Sequence, residues 1–66
     1  MLTQKYKNDL IAHVQSIAVD DNQTQTLVQS YEDYFNSLGK YEQMAESLTI
    51  EASGMDVAYQ NFIDKQ

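Results

Sequence analysis

The sequence predicts an all-α fold, a small antiparallel three-helix bundle whose third helix is either long or broken into two near residues 47–54. Three observations predict it. Apolar residues recur at spacings of three and four along most of the chain, the period that gathers them on one face of a helix. There is no proline, and Gly39 and Gly54 are the only glycines, so little interrupts that period. No segment alternates apolar and polar residues far enough to read as a strand. Residues 1–66 are read as one helical domain.

The first predicted helix covers residues 3–18. Leu2, Tyr6, Leu10, Val14 and Ile17 share a face, Ile11 and Ala18 widen it, and His13 sits on its edge. Thr3 is the expected N-cap, because its hydroxyl can accept from the first free backbone amides. The run Asp20-Asp21-Asn22 is the break, since these side chains favour turns and caps. Asp20 or Asp21 should cap the second helix, where a negative charge suits the positive end of the dipole.

The second helix, residues 22–38, has the clearest pattern. Thr24, Leu27, Val28, Tyr31, Tyr34, Phe35 and Leu38 form one stripe, with Gln25, Gln29, Glu32, Asp33 and Asn36 opposite. Gly39 stands where a left-handed C-cap is expected. Short connections at residues 19–22 and 39–40 make sequential helices antiparallel neighbours.

Residues 40–65 admit two readings. Tyr41, Met44, Ala45, Leu48, Ala52, Met55, Tyr59, Phe62 and Ile63 can lie on one continuous helical stripe. One unbroken helix would then run about 39 Å, against about 25 Å for each earlier helix. The other reading breaks the helix near residues 47–49 or at Ser53-Gly54, where Ser53 and Asp56 form a weak capping box. A glycine inside a helix costs about 1 kcal/mol relative to alanine, which permits the unbroken form without favouring it. Ile50 and Val57 are seven residues apart. On an unbroken helix they share a face opposite the main stripe and form a second contact surface; on a broken one they rejoin the core.

Composition narrows the function. Apolar residues make up 42% of the chain, enough for a packed core. A domain of this size buries only about 60% of the surface its unfolded chain exposes, so it commonly needs a staple. The chain has no cysteine and one histidine, which leaves no disulfide or thiolate ligand and argues against a transition-metal site. Helix packing or self-association is left as the staple. The cysteine-free composition fits a reducing compartment, and the expected location is cytoplasmic. No apolar run nears the roughly 18 to 20 residues of a membrane span, and residues 1–7 lack an apolar signal core.

The net charge is −6, with four lysines and no arginine. Residues 1–19 carry Lys5, Lys7 and Asp9; residues 20–66 carry nine acids against Lys40 and Lys65, a net of −7. Without a basic patch to displace counterions from phosphate, direct nucleic-acid binding is not expected, and an acidic membrane surface would repel the chain.

No constellation carries catalysis or ligation. In Asp20-Asp21-Asn22 a calcium loop counted from Asp20 has Gln25 where glycine is needed and Tyr31 where a bidentate glutamate is needed. Counted from Asp21 it reaches Glu32 in register, but Gln23, Gln25 and Thr26 occupy the ligand and glycine positions. His13 has no local serine or cysteine to activate beyond Ser16, a helical neighbour, and reads as a structural or interface residue. Glu42 and Glu46 are one turn apart but lack the Glu-x-x-His partners of a bundle metal site, so they read as a solvated face. No catalytic, cofactor or metal residue is assigned.

Seven aromatics remain to be placed. Phe35 and Phe62 are assigned to the core. The tyrosines are divided between core and interface, because tyrosine is amphipathic and enriched at binding surfaces. The interface candidates are Ile50, Val57, Tyr31, Tyr34 and Tyr59. In length and acidic helical character the chain resembles small phage- or plasmid-encoded accessory proteins and small secretion chaperones, a resemblance of class that transfers no residue roles. The expected function is a non-enzymatic protein–protein interaction module, self-associating into a homo-oligomer or binding a protein partner. The alternative is an acidic nucleic-acid mimic that inhibits a nucleic-acid-binding protein.

Overall fold

Local capping decides where each helix begins and ends. The computed structural model describes residues 2–66, and its helices are α1 (Gln4–Ile17), α2 (Asp21–Ser37), α3 (Lys40–Ser53) and α4 (Met55–Asp64), with no strand among the described residues. The fold is all-α with four helices rather than a bundle of three, because residues 40–65 adopt the broken of their two readings, with the break at Gly54.

Thr3 caps α1, its Oγ1 accepting from the Tyr6 amide at 3.2 Å. Asp20 caps α2, accepting from the Gln23 amide at 2.8 Å, while the Gln23 side chain accepts from the Val19 amide at 2.7 Å. Two orphan donors are thereby satisfied reciprocally. The left-handed cap expected at Gly39 is absent: Gly39 has φ −67° and begins α3, its amide donating to the Glu42 carboxylate at 2.6 Å.

The left-handed glycine is Gly54, with φ 96° and ψ 160°. That region is essentially closed to side-chain-bearing residues. Gly54 closes α3 through its amide to the Ile50 carbonyl, and its carbonyl opens α4 by accepting from Ala58. The α4 cap is thus Gly54, and the Ser53–Asp56 box expected there does not form. An unbroken helix over residues 40–65 would run about 39 Å, longer than the greatest extent of the molecule, 33 Å. The break lets α4 fold back, so that Asn61, Asp64 and Lys65 line the same depression as Glu42, Ala45 and Thr49. A Cβ on Gly54 would meet the Asp56 carboxylate at 2.7 Å. Gly54→Ala should therefore cost about 1–3 kcal/mol, read as a lower urea midpoint with unchanged slope.

Helices α1 and α2 run antiparallel, with Lys7 paired to Glu32 at 3.4 Å near one end and Gln15 beside Thr24 near the other. Helix α4 packs on both α1 and α3, whereas α2 and α3 meet more thinly. Leu10 and Val14 of α1, Val28, Tyr31 and Phe35 of α2, Ile50 of α3, and Met55, Ala58, Tyr59 and Phe62 of α4 form one buried core. Its centre is aromatic. Phe62 meets Tyr31 edge-on at 5.4 Å and lies 4.8 Å from Tyr34, and His13 meets Tyr59 edge-on at 5.4 Å. His13 is therefore half-buried against the core; Ser16 donates to its carbonyl and does not reach the ring.

Candidate interaction surface

Helix α3 is turned inside out. Its partly or fully buried residues are Gln43, Glu46, Ser47, Thr49 and Ile50, and of these Ile50 alone is apolar. Its apolar residues point away: Tyr41 is 79% exposed, Met44 56% and Leu48 68%, with Ala45 and Ala52 exposed beside them. An ordinary surface helix does the reverse.

Two hydrogen-bonding tasks explain the orientation. Few backbone amides reach the carbonyls at the end of α2, where the Leu38 amide turns back on Phe35 at 3.1 Å. The Gln43 amide donates to two carbonyls there, Phe35 at 3.1 Å and Leu38 at 3.3 Å. Tyr31 is fully buried in the core, and its hydroxyl donates to the Glu46 carboxylate at 2.6 Å. Burial first, and then this carboxylate, push the Tyr31 phenol well above its ordinary value. An unpaired buried hydroxyl would cost about 1–3 kcal/mol. Both tasks need α3 polar side chains directed inward, which turns the apolar stripe outward.

Beside the stripe runs an open groove of about 440 Å³, with Phe35 at its floor and Tyr6, Gln43, Met44, Leu48 and Glu51 among its walls. Glu51 ties α3 to the start of α1. Its carboxylate accepts from the Tyr6 hydroxyl at 2.7 Å and faces Lys5 Nζ at 3.5 Å. The Tyr6 hydrogen bond, then Lys5, hold Glu51 below its ordinary value of 4.5, and the same bond raises Tyr6. A lowered carboxylate stabilises the fold above the unfolded value, and that contribution fades as pH falls through the folded one. Tyr6→Phe should shift the Glu51 titration upward, followed by carboxyl NMR.

The five sequence-predicted interface residues do not come together. Tyr31, Tyr59 and Ile50 are buried in the core of the single chain and present no surface there. Tyr34 is half-buried on Phe62, and Lys65 donates to its hydroxyl at 3.0 Å. Val57 is 40% exposed, but the Gly54 break separates it from Ile50, so the two share no face. The spacing also allows one stripe that joins Tyr41, Met44 and Leu48 to Met55, Tyr59 and Phe62. Only the second trio is buried. The available signal was Ile50: once the helix breaks and Ile50 turns inward, the opposite face of α3 must turn outward. Ile17 and Val19 are also exposed, at the α1–α2 turn.

Among the described residues no group of three or more His, Cys, Asp or Glu side chains could hold a metal, and no helix is long and apolar enough to cross a membrane. No protein-family model, curated protein or solved structure matches the chain.

Proposed function

We propose that this chain is a non-enzymatic helical interaction module that self-associates through the outward face of α3. The observation that carries the reading is the inversion of α3. Tyr41, Met44 and Leu48 are large, contiguous and exposed, while polar side chains occupy the inward face. Monomeric proteins rarely expose large contiguous apolar patches, and those that do mark sites of contact. The chain is short of core and has no cysteine to staple it, so covering this face would also stabilise the fold. A cytoplasmic location suits the cysteine-free composition.

Sedimentation across a concentration series tests the reading. The unmodified chain should exceed monomer mass in the tens-of-micromolar range. Met44→Glu combined with Leu48→Glu should return it to monomer with its helical content intact. Monomer mass throughout would remove self-association. The net charge of −7 over residues 20–66 favours a second reading, an acidic mimic of nucleic acid. Binding of that kind to a basic protein falls steeply with salt, whereas apolar association holds.

A further inference from the structure

We infer that two copies pair antiparallel through α3, with the two-fold axis passing between Glu46 and Ser47, so that Tyr41 faces Ala52 of the second copy. The inference rests on the self-association reading and adds the partner's orientation and register. Two features of α3 carry it.

The first is an uneven distribution of size along the exposed stripe. Tyr41 and Met44 fill its N-terminal end, Ala45 follows as a small position, Leu48 stands just past the centre, and Ala52 leaves the C-terminal end thin. Two such stripes laid parallel would crowd at Tyr41 and gape at Ala52. Laid antiparallel about this axis, Tyr41 meets Ala52 and Leu48 meets Ala45, and the gap between the helices is even. Opposed macrodipoles favour the same orientation.

The second is charge. At 3.6 residues per turn, Lys40 and Glu51 lie on one flank of the stripe and Glu42 on the other. A perpendicular two-fold places each flank against its own copy. Lys40 then lies within one turn of Glu51 of the second copy, whose half-exposed carboxylate it shares with that copy's own Lys5 and Tyr6, and the contact occurs twice. Lys40 forms no ion pair within its own chain among the described residues.

The length of α3 sets the strength. Fourteen residues span about 21 Å with a width of about 10–12 Å. That footprint is well short of the roughly 800 Å² per partner of a standard interface, so the pair is weak and forms only at high concentration.

A charge exchange tests the register. Lys40→Glu alone places two carboxylates together at each contact, and Glu51→Lys alone places two ammonium groups together. Each variant should dimerise about tenfold more weakly than the unmodified chain, as expected for two exposed pairs worth up to about 1 kcal/mol each. An equimolar mixture should recover dimer mass, because both contacts in the heterodimer again join opposite charges. Failure of the mixture to recover, with the unmodified chain still dimeric, would overturn the antiparallel register and leave self-association standing. Monomer mass for the unmodified chain would overturn both.

Glu51→Lys also loses the Tyr6 contact, so a second measurement guards against misfolding. The chain has no cysteine. Under mild oxidation, Tyr41→Cys mixed with Ala52→Cys should cross-link between the two variants, and Ala52→Cys alone should not. Self-linking of Ala52→Cys would show a parallel pair and sink the proposal.

Discussion

Ile50→Glu should unfold the domain, whereas Leu48→Glu, two residues away on the same helix, should leave the isolated fold in place. Ile50 is 5% exposed. A glutamate there would bring an unpaired carboxylate into the core, one turn from Glu46, which already faces inward to hold Tyr31. Burying such a group costs several kcal/mol, and a domain of this size has only about 3–5 kcal/mol to lose. Leu48 faces water, where substitutions usually stay within about 0.5 kcal/mol. Thermal melts at low concentration, where association does not contribute, compare the two. Equal melting points would mean that α3 does not present these faces as described.

Phe62→Ala should have the second large effect. Its ring touches Tyr31, Tyr34 and Tyr59 at centroid distances of 5.4, 4.8 and 5.8 Å, joining α4 to α2. Truncating a buried phenylalanine costs about 3–5 kcal/mol. The remaining rings cannot close the gap, because Tyr31 is anchored to Glu46 and Tyr34 is tied to Lys65. The near-ultraviolet circular dichroism of the tyrosines should be lost while much of the helical signal persists. A retained aromatic signal with a cooperative melt would place the core elsewhere.

Much of the fold was legible because helix periodicity and caps are local. The stripe of Thr24, Val28, Tyr31 and Phe35 reads directly from spacing, and these residues are buried. Thr3 and Asp20 cap where their chemistry indicates. Gly54 was harder. A mid-helix glycine costs too little to force a break, and what settles the matter is the return of α4 onto α1 and α3, a tertiary effect. Gly39 misled because its place after Leu38 suits a C-cap, yet Glu42 recruits its amide to begin the next helix.

The surface was less legible than the fold. Tyr31 and Tyr59 have the composition of an interface and the position of a core. Their burial depends on partners far along the chain, Glu46 for Tyr31 and His13 for Tyr59. The stripe of Tyr41, Met44 and Leu48 was visible as apolar periodicity, but periodicity does not say which side faces inward. The polar residues Gln43 and Glu46 decide that, through bonds to Tyr31 and Phe35 of α2 and to Leu38 at its end that no local pattern encodes.

The central claim is that the outward stripe of α3 is the contact face. Amide and methyl NMR spectra recorded through a dilution series test it residue by residue. The account predicts concentration-dependent shifts at Tyr41, Met44, Ala45, Leu48 and Ala52, with Ile50 and Phe62 little changed. Shifts centred on Ile17 and Val19, or none at any concentration, would contradict it.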